Sequence, residues 1–314
     1  MAMLHRRSTS RRFDPPRLVL AILAIALPLA VPGQDDPSPY EYRATRDLVK
    51  TVNQAAALFA REGEVAFEEL SRPDSRWLSG EHYIFVFDED GVCVFHPRHP
   101  SHVGKNMLAE KDVLGRPYHQ WIVDIAKETA PGHGWVYYFS PPPDTLFPRW
   151  KSSYVVAVRG PGGERYALGS GLYDMRMERR FVEDLVDRAA KLIQRRGKAA
   201  FAALRDPAGA YSLPNTYVYV LSMTGELAVD PAFEPGKERN ALDYRDSTGR
   251  LFIRDAIARL QTQESAWIMY MWPKPGDSIP ARKLMYARRV SVDGETYLVG
   301  SDLYTSHPIW LGIY

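Results

Sequence analysis

Cysteine is almost missing from this chain: its 314 residues include one, Cys93. A single thiol makes no internal disulfide, so the fold depends on ordinary core packing. Cys93 lies in the apolar run from Val92 to Phe95 and reads as a small buried hydrophobe, not a reactive thiol. An excess of one charge sign is missing too. The 40 basic and 38 acidic side chains leave +2, a balance that implies no nucleic-acid partner. Long apolar runs are missing with one exception, Leu18 to Val31. At about 14 residues it suits the core of a signal peptide better than a membrane span of about 20. Arg6, Arg7, Arg11, Arg12 and Arg17 precede it, Pro32 and Gly33 follow it, and no cysteine comes after it to carry a lipid. The expectation is that residues 1–39 form a signal peptide or N-terminal anchor and leader. The protein is then periplasmic or secreted, the alternative being anchorage to the membrane by residues 18–31. Signatures of catalysis are absent as well: no nucleophile elbow, no HExxH and no phosphate-cradling glycine loop. No enzyme is expected, and an exported hydrolase is the more distant alternative.

What is there is aromatic, apolar and repeated. At 45% hydrophobic and 12% aromatic, the chain can fill one large core or two ordinary ones. The stretch from Gly134 to Tyr154 reads as a strand, a proline-broken loop and a second strand, and the pattern returns from Ala266 to Tyr286. Trp135 answers Trp267, Tyr138 answers Tyr270, Lys151 answers Lys283 and Tyr154 answers Tyr286. The flanking sequence repeats in the same order. Apolar residues at three- and four-residue steps predict a helix over 40–71 and another over 174–204. Each is followed by a hairpin, Tyr83–Phe87 with Val92–Phe95 and Tyr217–Leu221 with Glu226–Val229. A short helix comes next, over 118–126 and over 251–260, and then three strands. Slid by about 134 positions, Phe67 falls on Phe201, Pro73 on Pro207, Gly91 on Gly225 and Asp112 on Asp246. This is a duplication. The predicted class is α+β: two tandem modules, 40–173 and 174–314, each with a long N-terminal helix and a five-stranded antiparallel sheet. The helix over 174–204 is expected to couple them rigidly.

The order Tyr83 to Gly91, His96-Pro97, Gly104 to Asn106, Gly134 to Tyr138, Lys151 to Tyr154 and Gly169 to Tyr173 resembles a Cache domain of the single, type 2 kind. The second half is similar through Trp272 to Gly276, Lys283 and Gly300 to Tyr304. It departs at Asp230, where the first half has His96, and at Asp302, where it has Gly171. The resemblance implies PAS-like extracytoplasmic sensor modules whose pocket lies between the sheet and the layer formed by the loop and short helix. It implies a small carboxylate or amino-acid ligand, no cofactor, and a membrane receptor or sensor kinase as a possible signalling partner. No second span or output domain follows Tyr304, so a free-standing or singly anchored binding protein is expected. A structural or interaction module with degenerate pockets is the alternative.

The candidate ligand residues on this basis are His96, Trp135, Tyr138, Lys151 and Tyr154, with Asp230, Trp267, Tyr270, Lys283 and Tyr286 in the second half. Lysine offers a charge-assisted bond, the phenols hydroxyl donors and the indoles walls. The competing reading places the aromatics in the core and each lysine on an exposed strand face. Strand alternation sends Lys151 and Tyr154 to opposite faces, and likewise Lys283 and Tyr286. Three histidines, His96, His99 and His102, invite a metal reading, but Pro97 and Pro100 exclude a regular helix there and favour a polar loop. Asp88, Glu89 and Asp90 are more simply a hairpin turn than a calcium loop.

Overall fold

A computed structural model describes residues 39–127, 132–214, 216–231 and 240–305. The leader and the apolar run from Leu18 to Val31 lie outside the described residues.

Helix α1 spans Arg43–Glu62 and buries Leu48, Val49, Val52, Ala55, Ala56 and Phe59 along one stripe. It stops earlier than its periodicity predicts. Gly63 takes φ +60° and ψ −140°, a conformation open essentially to glycine, and a Cβ there would meet Pro161 at 3.1 Å. A 3-10 turn and a short helix, Ala66–Leu70, finish the predicted segment. The second long helix repeats this break. Helix α3 spans Arg179–Arg196, Gly197 turns at φ +61°, and Ala200–Arg205 follows.

That helix also begins five residues after the predicted Asp174. Asp174 takes φ +50° and extends the preceding strand by donating its N–H to Trp150 O at 2.8 Å. The buried Glu178 carboxylate accepts the Glu41 N–H, so the start of α3 is tied to the start of α1.

The first sheet is built from β1 (Phe85–Asp88), β2 (Cys93–Phe95), β3 (His133–Ser140), β4 (Arg149–Arg159) and β5 (Arg165–Tyr173), with α2 (Tyr118–Lys127) between β2 and β3. The second has β6 (Tyr219–Ser222), β7 (Leu227–Val229), α4 (Phe252–Leu260), β8 (Ser265–Pro273), β9 (Pro280–Val292) and β10 (Glu295–Tyr304). Both sheets are five-stranded, in the orders β2-β1-β5-β4-β3 and β7-β6-β10-β9-β8, with every neighbouring pair antiparallel.

The predicted strand over 83–87 is divided. His82–Tyr83 pairs with Leu78–Ser79, and the Tyr83 carbonyl accepts the Ser170 hydroxyl at 2.6 Å, leaving the ladder to start at Phe85. The second module divides the same way, with Thr216–Tyr217 against Ser212–Leu213.

Alternation gives each sheet two covered faces. On one, α1 and α3 pack with Val86, Trp135, Tyr154 and Val156 of the first sheet and Val220, Tyr286 and Val299 of the second in a single apolar cluster. That cluster joins the modules. The opposite faces are separate: α2 packs on Phe87, Tyr138 and Val155, and α4 on Leu221, Tyr270 and Met285. Among the described residues no helix is long and apolar enough to cross a membrane.

Candidate functional site

The loop-side face of the first sheet carries a polar group that its apolar neighbours do not explain. Lys151 is the third residue of β4, opposite Tyr138 on β3 and Tyr173 on β5, so the three side chains share that face. It is only 1% exposed. Its Nζ donates to Tyr83 Oη at 2.6 Å and lies 4.1 Å from the Tyr83 ring centre and 5.0 Å from that of Tyr173. Tyr138 Oη is 3.0 Å from Ser153 Oγ, and the Tyr138 ring stacks on Tyr118 of α2 at 4.1 Å. Among the described residues no carboxylate forms an ion pair with Lys151. A buried ammonium with phenols for company and no counter-charge is costly on its own and suits an anion.

Histidines complete the surroundings. The His96 ring centre is 4.8 Å from that of Tyr83, and His96 Nδ1 accepts the His99 N–H at 3.0 Å. The His99 and His102 rings stack at 5.1 Å. Burial, then the neighbouring His99 and Lys151, pulls His96 down to about 2; burial and then Lys151 pulls His82 to about 4. Burial takes His119 to about 3, and its Nδ1 has no hydrogen-bond partner among the described residues. All three are therefore neutral in the fold. Burial pushes Tyr83 up to about 12 and Tyr138, against the pull of Lys151, to about 12 as well, so both remain hydroxyl donors. Among the described residues no three His, Cys, Asp or Glu side chains are arranged to hold a metal ion.

The second module reproduces the register and changes the chemistry. Lys283 stands opposite Tyr270 and Tyr304. Here a carboxylate is present: Asp302 Oδ2 lies 3.5 Å from Lys283 Nζ, and Asp302 Oδ1 accepts the hydroxyls of Tyr270 at 3.0 Å and Tyr219 at 3.3 Å. Burial raises the Asp302 carboxyl, opposed by Lys283 and the two phenols. Asp230 sits beside Tyr217, whose hydroxyl burial and this carboxylate hold above its ordinary range.

The sequence candidates thus divide. His96, Tyr138 and Lys151 come together, as do Asp230, Tyr270 and Lys283 around Tyr217 and Asp302. The aromatic partners do not join them. Trp135 and Tyr154 are on the helix side, where Trp135 Nε1 donates to Tyr40 Oη at 3.0 Å and the indole packs on Phe181 at 4.5 Å. Trp267 Nε1 donates to Glu183 of α3 at 3.1 Å, with Tyr286 against its ring at 5.1 Å. Period-two alternation is the reason: one residue of each pair is odd in register with the lysine. Trp135 also borders a cleft of about 430 Å³ along edge strand β3, with Tyr137, Arg188 and Tyr211, apart from the Lys151 group. Sequence reasoning missed Tyr83, Tyr118, Ser153 and Asp302. Tyr83 and Asp302 stood in the repeated motifs, but only the strand register brings them to the lysines.

A five-stranded antiparallel sheet behind a long N-terminal helix, with a loop and short helix over its other face, defines a PAS-like sensor module, and this chain has two in tandem. Residues 70–178 match the family described as "Cache domain", and residues 177–306 match "Single Cache domain 2". The chain belongs to the Cache family, whose members are extracytoplasmic ligand-sensing modules. It is similar to the periplasmic sensor domain of a chemotaxis protein at 31% identity, over 40% of this chain and 87% of that one, with a TM-score of 0.32. It is similar to a Cache chemosensory domain described for carboxylic acid recognition at 25% identity, over 42% and 94%, with a TM-score of 0.36. A third likeness is to the ligand-binding domain of the Pseudomonas aeruginosa PAO1 amino-acid chemoreceptor PctB with L-Arg, at 13% identity over 83% and 87%, TM-score 0.28. No curated protein sequence matches the chain.

Proposed function

We propose that the first module binds a small carboxylate or amino acid through Lys151. The observation that carries this reading is the buried ammonium of Lys151, held by Tyr83 and faced by neutral histidines, with no carboxylate paired to it among the described residues. A ligand carboxylate would receive a charge-assisted bond from Nζ and hydroxyl bonds from Tyr83 and Tyr138. Tyr118 would form an apolar wall through its stack on Tyr138. His96 bounds the site on the loop side. Because Lys151 is closed to solvent, entry requires the loop layer to open, and closure over the ligand is then the signal.

The protein acts in this reading as an exported binding or sensing module that passes its state by contact to a membrane receptor or sensor kinase. Residues 1–39 serve as leader or anchor, with module boundaries at 40–173 and 174–314.

A thermal-shift panel of small monocarboxylates, dicarboxylates and amino acids tests it. A true ligand at about a hundred times its Kd stabilises by about 2.7 kcal/mol, which raises Tm by several degrees. Lys151→Ala is expected to abolish that rise. Flat melting curves across the whole panel would sink the ligand class.

A further inference from the structure

We infer that the second module is closed on a carboxylate of its own: Asp302 fills the seat that an acid ligand takes in the first module, and removing it opens a latent carboxylate site. The comparison of seats rests on the proposed function, whereas the latent site stands on the second module alone.

The two seats are related by strand register. Tyr138, Lys151 and Tyr173 lie side by side across β3, β4 and β5, and Tyr270, Lys283 and Tyr304 do so across β8, β9 and β10. Two residues along from each lysine, Ser153 faces Gly171 and Met285 faces Asp302. At Gly171 there is no side chain and no room for one: a Cβ would come within 2.3 Å of Ser153 Oγ, 2.7 Å of the Ser152 carbonyl and 2.9 Å of Lys151 Cε. The matching position of the second module holds a carboxylate, 7% exposed. Donors converge on it from three other strands: Tyr219 from β6, Tyr270 from β8 and Lys283 from β9. A cation and two hydroxyls meeting one carboxylate form the donor set that a bound acid requires.

A second exchange accompanies the first. Tyr219 occupies the place of Phe85; each ring packs over the glycine opposite it, Gly300 and Gly169, where a Cβ would come within 2.5 Å and 2.8 Å. The second module therefore carries an acid and a hydroxyl aimed at that acid where the first carries glycine and phenylalanine. A pocket merely unused would require neither. A seat filled from within, and fitted to its occupant, accounts for both.

The test uses the full chain carrying Lys151→Met, so that only the second module responds. Asp302→Ala removes a group of formate's size, and Asp302→Gly one of acetate's size. Each variant is expected to melt below its parent in chloride and to recover in formate or acetate, respectively, by about 5 °C at a hundredfold excess over Kd and equal ionic strength. Asp302→Asn keeps the seat filled and is expected to show no such response. Asp302→Ala and Asp302→Gly chains that melt alike in carboxylate and chloride, or stay unfolded in both, overturn the inference. So does saturable acetate binding in the Lys151→Met chain with Asp302 intact that is lost on adding Lys283→Met. A wild-type chain indifferent to every carboxylate, beside a rescued Asp302→Gly, would instead overturn the first-module reading alone.

Discussion

His82, His96 and His119 are folded against the Lys151 face in their neutral forms, burial holding them at about 4, about 2 and about 3. A free histidine titrates near 6.5. Below that value the unfolded chain binds protons that the folded chain refuses, so stability is lost as pH falls from about 6.5 toward the folded values. Each histidine steepens the loss by about 1.4 kcal/mol per pH unit in that window. Urea unfolding at about pH 7 and about pH 5 should show this fall, and His96→Phe should make it shallower. A pH dependence identical in His96→Phe and the wild type would mean that His96 takes up its proton over the same pH range in the folded chain as in the unfolded one. Lys151 adds to the shifts of His82 and His96, and a bound anion would work against that contribution.

Elements were legible in the sequence wherever periodicity was clean, and misread where one backbone angle decides. The three long strands of each module were legible in number and order, because β-branched and aromatic runs between turn residues leave few alternatives. Several extend two to four residues beyond the apolar runs that mark them. The two long helices were read through Gly63 and Gly197, since the apolar steps continue past both. Only the positive φ shows that the chain changes direction there. Alanine at either glycine is expected to cost about 1–3 kcal/mol in urea unfolding. Gly63→Ala should be the worse, because its Cβ meets the Pro161 ring at 3.1 Å, whereas at Gly197 the nearest atom is the movable Asp293 carboxylate at 2.9 Å. Equal and negligible losses would show that the breaks tolerate ordinary residues. The site was legible by halves. Alternation separated Lys151 from Tyr154 and Lys283 from Tyr286, but it could not say which member faces the loop layer. Asp302 was visible as a departure from Gly171. Its meaning appears only when β10 is laid beside β9 and brings it to Lys283.

At the scale of the whole molecule, the duplication has produced two sheets with one shared core. Phe181 of α3 packs on Trp135 of the first module, while Leu185 and Ile193 of the same helix lie in the apolar cluster that reaches Tyr286 and Val299 of the second. Glu178 at the head of α3 holds the head of α1. Calorimetry is accordingly expected to show a single unfolding transition, with calorimetric and van't Hoff enthalpies in agreement. Two resolved transitions would mean that the modules are only strung together. In the proposed function the shared core would give a ligand-driven change in the first module a solid path to the second, which the inferred self-closure of Asp302 would keep fixed as a platform. The central claim is that a single carboxylate seat, at Lys151, takes ligand once the loop layer opens. Calorimetric titration of the best carboxylate from the panel into wild-type, Lys151→Met and Lys283→Met chains measures it directly. One site per chain, lost in Lys151→Met and kept in Lys283→Met, is the expected result; binding unchanged in Lys151→Met would contradict it.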